Sequence, residues 1–295
     1  MFGGAIVAII TPFKNGRVDE KALRALIEEQ IAAGTDGIAP CGTTGESTTL
    51  SHEEHDRVIE ITIDAVAKRV PVIAGTGSNS TAEALRLTRH AWEAGADGAL
   101  LVCPYYNRPT QEGLYQHYCS VAREIPLPIV IYNIPGRTGT NLLPETLARL
   151  AEIPNIVGVK EASGSIKQMN DVIQLCGEDF DVLSGDDIFT LPLLAIGGRG
   201  VISVVSNVVP ADMAGMVDAF AAHDLEKALV LHKKMSPLID ALFVETNPIP
   251  VKAALAMMGK IDEELRLPLC RISEKGREIL RKVMVNYGLI AQGEK

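Results

Sequence analysis

Apolar, β-branched runs alternate with amphipathic stretches along most of the chain. Eight runs stand out: "GAIVAIITPF", "GIAPCG", "VPVIAGTG", "GALLVCPYY", "LPIVIYNIP", "IVGVKEAS", "DVLSGDD" and "GVISVVSN", beginning near residues 3, 37, 70, 98, 127, 156, 181 and 200. The spacing is about one strand–helix–strand unit each time, which needs roughly 30 residues. Eight alternating units predict an α/β fold, a closed (β/α)8 barrel of the TIM type. An open doubly wound sheet has the same local pattern and is the second reading.

Helix signals fill the gaps. "DEKALRALIEEQIAAG" runs from an acidic first turn to Gly34, and "STAEALRLTRHAWEAG" from a Ser80/Glu83 capping box to Gly95. "AAGTDGI" at 32–38 and "EAGADGAL" at 93–100 each end a helix and enter a strand, so one supersecondary unit is repeating. From about residue 224 the strand signal stops, and "DLEKALVLHKKMSPLIDALFV", "PIPVKAALAMMG" and "SEKGREILRKVMVNYG" read as three helices. The expected organisation is a barrel over 1–223 and a C-terminal helical domain over 224–295, with no linker rich in Ser, Gly or Pro between them.

Composition narrows the function classes. Apolar residues make up 47% and charged residues 22%, which suits a globular core. With 28 Lys and Arg against 37 Asp and Glu the formal charge is −9, and no basic run offers a nucleic-acid surface. The five cysteines (Cys41, Cys103, Cys119, Cys176 and Cys270) are scattered and never form a C-x-x-C pair, which suits a reduced cytoplasm better than a disulfide framework. "MFGGAIVAIITPFK" lacks a positive n-region, and its apolar run is too short to span a bilayer, so it reads as the first strand of a protein with no membrane role.

Polar residues in unexpected places gather where a barrel keeps its chemistry, at the C-terminal ends of strands. In "NIVGVKEASG", residues 155–164, Lys160 sits inside an apolar strand. The two-residue period of strands puts Gly158, Lys160 and Ala162 on one face and Val157, Val159 and Glu161 on the other. If the first face is the barrel interior, Gly158 and Ala162 leave room beside the amine for a small ligand. Burial disfavours the ammonium form, and the neutral amine is the species that attacks a carbonyl carbon to form a Schiff base. A salt-bridged or snorkelling lysine is the competing reading.

The neighbouring strand ends add partners. Tyr132 ends the fifth strand, from which its phenol can exchange protons with a reacting carbinolamine; otherwise it is a rim tyrosine with its hydroxyl in water. Arg137, in a Gly-flanked loop, can grip a carboxylate bidentately or simply be solvated. "GTTGE" at 42–46 offers Thr43 and Thr44 hydroxyls and backbone N–H groups for a small anion. "GTGSNS" lacks the third glycine of a dinucleotide fingerprint. His52 and His55 lie one helical turn apart without a third ligand, so no metal is expected. Cys41 has no orienting base nearby in sequence and reads as a packed thiol.

In this order, "CGTTGES", "PYYNRPTQEGLYQHY", "YNIPGRTG", "GVKEASG", "LSGDD" and "GVISVVSN" closely resemble the dihydrodipicolinate synthase family. The resemblance extends through "NPIPVK" at 247–252 and "LRLPL" at 265–269, covering nearly the whole chain. It implies a barrel with a helical C-terminal domain that condenses pyruvate with aspartate semialdehyde through a lysine Schiff base, in lysine and diaminopimelate biosynthesis, with no cofactor. By resemblance Lys160 is the nucleophile, Tyr132 the general acid/base, Thr44 its link in a proton relay, and Tyr106 the completing member from a neighbouring subunit. Arg137 would hold the semialdehyde carboxylate, the Thr43 and Thr44 backbone would receive the pyruvate carboxylate, and Gly185 and Ile202 would line the site. The related N-acetylneuraminate lyases and keto-deoxy-sugar aldolases share the barrel, tyrosine and lysine, and a non-catalytic keto-acid-binding barrel is a third reading. Thr43 and Thr44 followed by Gly-Glu, the Tyr105–Tyr106 pair and the Arg137 loop favour the synthase.

The same resemblance places Ser47, Thr48, His52, His55, Asn79, Ser80, Glu83 and Tyr105 around an L-lysine feedback site at a subunit interface. Glu83 would take the ligand's α-amino group, with His52 and His55 near its side-chain end; Thr48 and Ser80 stand where alanine is familiar. A homotetramer built as a dimer of dimers is implied as well.

Overall fold

The structure is a computed structural model and describes residues 1–292; positions 293–295 of the expected helical domain lie outside the described residues. The predicted strands form: β1 (Gly4–Ala8), β2 (Gly37–Ala39), β3 (Ile73–Gly75), β4 (Gly98–Val102), β5 (Ile129–Asn133), β6 (Ile156–Glu161), β7 (Asp181–Ser184) and β8 (Gly200–Ser203). They pair in parallel in the order β2-β1-β8-β7-β6-β5-β4-β3. A bridge from Ile38 to Val72 joins the two ends of that order, so the sheet closes as a barrel and the open-sheet reading falls.

Between the strands run α1 (Glu20–Ala32), α2 (His52–Val66), α3 (Thr81–Ala94), α4 (Gln111–Glu124), α5 (Pro144–Ala151), α6 (Ile166–Cys176) and α7 (Thr190–Ala195), and α8 (Pro210–Ala221) follows β8. The strands are apolar on both faces because each face meets a different layer. Val7, Ile38, Leu101, Ile129, Ile131, Val159 and Val182 pack outward under the helices, while Ile6, Ala8, Leu100, Val130, Leu183 and Ile202 fill the interior. Phe2 plugs the floor, and a Cβ at Gly98 would come 2.7 Å from its ring, so that strand needs glycine there.

Helix ends follow their local chemistry. Gly95, with φ of 94°, closes α3 as expected. The capping box expected at Ser80/Glu83 is only half made: the Ser80 hydroxyl accepts the Glu83 N–H, but the Glu83 carboxylate turns instead to the Ser78 hydroxyl and to His52 Nε2 at 2.8 Å. Ser51 and Glu54 form the complete box, at the start of α2.

The C-terminal helices are α9 (Leu225–Leu242), α10 (Ile249–Met257) and α11 (Glu274–Tyr287), with α9 along α8 and α11 against both others. Among the described residues, no helix is long and apolar enough to cross a membrane.

One strand departs from simple alternation. Between β5 and β6 the register shifts by a residue, so Val157 packs against the interior cluster and not with Val159 on the outer face. From Gly158 onward the expected alternation holds, and Lys160 faces inward.

Candidate active site

Lys160 and Tyr132 are ladder partners at the ends of β6 and β5, and the amine lies 4.1 Å from the centroid of the phenol ring. Lys160 is only 5% exposed. Burial lowers its pKa to about 8; the Asp187 carboxylate opposes that shift, and the Arg137 guanidinium adds to it. A substantial neutral fraction therefore exists near physiological pH. The space around the amine comes from Gly185, whose Cβ would sit 3.2 Å from Lys160 Cε and 2.7 Å from Ala162 Cβ. Gly158, expected to leave that room, instead lies against Asp181, whose carbonyl oxygen a Cβ would meet at 2.5 Å.

Burial pushes Tyr132 up to about 12, against the pull of Arg137 and of the Thr43 hydroxyl beside the phenol. The phenol is thus protonated at neutral pH and is a proton donor. The relay expected through Thr44 has a different geometry: Thr43 is the hydroxyl beside the phenol, while Thr44 Oγ1 accepts a 3.0 Å bond from Asn247 Nδ2. Thr44 is buried and anchors the turn. Within that turn the Gly45 N–H donates to Gly42 and the Glu46 N–H to Thr43, while the Thr43 and Thr44 amides have no carbonyl partner among the described residues.

Arg137 sits in a single helical turn, Pro135–Thr138, and donates from Nη2 to the Asn247 carbonyl at 3.0 Å. Ile202 shares the interior cluster with Tyr132. A cavity of about 670 Å³ is lined by Thr43, Tyr132 and Arg137 and extends to Ser47, Thr48, His52, His55, Glu83 and Tyr105. Asn79 stands behind that wall and donates to the Tyr105 carbonyl at 3.2 Å; Ser80 serves the α3 cap. Tyr106 is not brought to the cavity: it is 89% exposed. His55 Nε2 bonds to the Gly75 carbonyl at 2.9 Å, and burial lowers its pKa to about 4. The Cys41 thiol is raised by burial, in keeping with a packed residue.

Several contributors escape sequence reasoning. Asp187 is buried beside the lysine, its Oδ2 held by the Val204 and Val205 amides at 3.1 Å each, and burial raises its pKa to about 6. Glu46, which ends the threonine turn, pairs with Lys252 of α10 at 2.5 Å, with both side chains at 0% exposure. Asn247 meets both Thr44 and Arg137. "CGTTGES", "LSGDD" and "NPIPVK" carry these residues, but only their fit to the family pattern is visible in sequence.

A buried amine with a lowered pKa, facing a protonated phenol at the mouth of a (β/α)8 barrel, fits an amine-dependent lyase that works on a carbonyl substrate. Comparison with known proteins makes the class particular. A model of the dihydrodipicolinate synthetase family matches residues 1–286, and the chain belongs to that family. A 4-hydroxy-tetrahydrodipicolinate synthase from Syntrophus aciditrophicus is 74% identical over 290 residues, covering 98% of this chain and all of the relative. A chloride-inhibited dihydrodipicolinate synthase from Acinetobacter baumannii, solved with pyruvate, superimposes with a TM-score of 0.96 at 49% identity, covering 98% of this chain and 100% of that one. The enzyme from Cyanidioschyzon merolae, solved with lysine bound, gives 0.95 at 43% identity over 98% and 99%.

Proposed function

We propose that the chain condenses pyruvate with L-aspartate 4-semialdehyde to 4-hydroxy-tetrahydrodipicolinate, in lysine and diaminopimelate biosynthesis, with Lys160 as nucleophile. The neutral amine attacks the pyruvate keto carbon, and Tyr132 supplies the proton with which the carbinolamine hydroxyl leaves as water. The cationic imine acidifies the methyl group, and loss of a methyl proton gives the enamine. The enamine carbon bonds to the aldehyde carbon, whose oxygen takes a proton. The amino group of the former semialdehyde then attacks the imine carbon, closing the ring and expelling the lysine amine.

Thr43 is the hydroxyl that passes protons to and from Tyr132, and Arg137 holds the semialdehyde carboxylate. The Thr43 and Thr44 amides, without a carbonyl partner among the described residues, receive the pyruvate carboxylate. Tyr106, extended into solvent, enters the relay of a neighbouring subunit in a homotetramer. The working assignment of parts is a catalytic barrel over 1–223 and a helical unit after it, in a cytoplasmic enzyme.

The observation that carries this reading is the Lys160 amine over the Tyr132 ring, with its pKa lowered to about 8. Borohydride reduction with pyruvate should add one pyruvate-derived mass at Lys160, and an enzyme that takes up no adduct there would refute the mechanism. A panel of aspartate semialdehyde against sugar-derived aldehydes separates this activity from the sister aldolases. The outer end of the cavity suits L-lysine, with Glu83 for its α-amino group and His52 and His55 toward its side-chain end. Activity unchanged at millimolar lysine would remove that assignment.

A further inference from the structure

The pairing of β5 with β6 is not uniform. Ile129 lies opposite Ile156, but Val130 lies opposite Gly158, which makes Val157 an extra residue on β6. Ile129 and Ile156 both belong to the outer layer under the helices, and Val130 and Tyr132 to the interior. In an unbroken ladder Tyr132 would face Val159, Asn133 would face Lys160, and the lysine would follow Asn133 to the outside. The bulge reverses this and turns Lys160 inward beside Tyr132. Gly158 permits it, because only a residue without a Cβ lets the bulged backbone lie against the Asp181 carbonyl.

Two registers of one strand pair thus differ in where the amine points, and a polar contact just beyond the bulge distinguishes them. Asn133 and Glu161, each one residue past the reactive pair, are ladder partners, and both are fully buried at 0% exposure. Glu161 Oε2 accepts from Asn133 Nδ2 at 3.0 Å and from Gln168 Nε2 at 3.3 Å, and Oε1 accepts the Ser163 N–H at 2.7 Å. Asn133 also donates to Asn141 Oδ1 at 2.9 Å and accepts the Leu142 N–H at 3.0 Å. A carboxylate buried among neutral donors is tolerated only while those bonds are made. The unbulged ladder would carry Glu161 to the inner face and break its bonds to Asn133 and Gln168.

We propose that the Asn133–Glu161 pair locks β6 in its bulged register and is the positioning element that keeps Lys160 facing Tyr132. The proposal rests on Lys160 being the Schiff-base lysine. Its test is the rate of borohydride-trapped adduct formation with pyruvate, followed by mass across pH. In Glu161→Gln the new amide must oppose a donor, since all three neighbours are donors. Adduct formation should slow by about tenfold or more at pH 7.5, as expected for a lost bond to a buried charged group. Its pH midpoint should move up from about 8 toward the ordinary lysine value of 10.5, because a less firmly held amine is better hydrated. Asn133→Asp should do the same, and the exchanged pair Asn133→Asp/Glu161→Gln should return the rate to within about threefold, with the midpoint restored.

A role confined to stability would lower the melting temperature or the fraction of trappable enzyme but leave the midpoint in place. That result, or an exchanged pair no better than either single variant, overturns the proposal. Gln168→Ala, at a half-buried position, removes one donor without disturbing the strands and should shift the midpoint the same way by less; no shift there also counts against the lock. Wild-type enzyme that traps no pyruvate overturns the assigned function together with this inference, whereas normal wild-type trapping with an unmoved Glu161→Gln midpoint overturns the inference alone.

Discussion

Replacing Lys160 with methionine should abolish adduct formation and at the same time stabilise the fold. The ammonium form is disfavoured in the native state, as the drop from the ordinary 10.5 to about 8 expresses. At ~1.36 kcal/mol per pH unit, the native state bears up to about 3.4 kcal/mol for holding that charge at neutral pH. Methionine removes the cost with little change of volume, but it deprives the Asp187 carboxylate of a cation, so the net gain should be roughly 1–3 kcal/mol. The sign of the pH dependence follows from which state loses its proton first. Below about pH 8 both states carry the proton and the full cost is present. Between 8 and 10.5 the native state sheds its proton while the unfolded chain keeps it, so wild-type stability rises with pH and the gap to Lys160→Met narrows. Urea unfolding at matched protein concentration should place the Lys160→Met midpoint about 0.3–1 M above wild type at pH 7, with the difference more than halved at pH 9.5. A variant no more stable than wild type at pH 7, or a gap that does not change with pH, would refute the view that burial activates the lysine.

Two further predictions test the surroundings. Lys252→Met leaves Glu46 buried without its partner and should cost about 3–5 kcal/mol in urea unfolding, most of it regained in Glu46→Gln/Lys252→Met; equal losses in both would show that the pair is not what matters. Thr43→Val should lower kcat by about 10²-fold through the lost proton relay, and Thr44→Val by much less, since its hydroxyl serves only the bond to Asn247. Steady-state kinetics decide between them, and the reverse order would return the relay to Thr44.

The elements are legible because their signals are local. A β-branched run between helix stops makes a strand wherever it lies, and an ammonium group inside such a run marks itself as an anomaly by its desolvation cost. Choosing between Thr43 and Thr44 is another matter. The two are adjacent and chemically identical, and only the course of the turn decides which hydroxyl meets Tyr132. Val157 shows a subtler limit: a strict two-residue period puts it on the face of Val159, and an inserted residue leaves no mark in a run where Ile156, Val157 and Val159 are interchangeable in kind. Alternation places Lys160 correctly because the bulge lies before Gly158. The Glu46–Lys252 pair spans 206 positions, so no window of sequence contains both charges.

That long-range pair also explains why the helical unit belongs to the chemistry. The threonine turn and the Arg137 turn are short segments that follow strand ends, each held within itself by three backbone bonds. Both are tied to one stretch at the start of α10. Asn247 gives its amide to Thr44 and its carbonyl to Arg137, and Lys252 joins Glu46 to the Thr11 carbonyl at 2.9 Å. Arg266 then clamps the far side, donating its backbone N–H to Glu46 at 3.2 Å and its guanidinium to Glu54 at 2.5 and 2.6 Å. The strands aim the lysine and the phenol from below, and the threonine and Arg137 turns are set from above. Rigidity at the mouth therefore depends on residues beyond 246, whose bonds reach both turns from outside the strands.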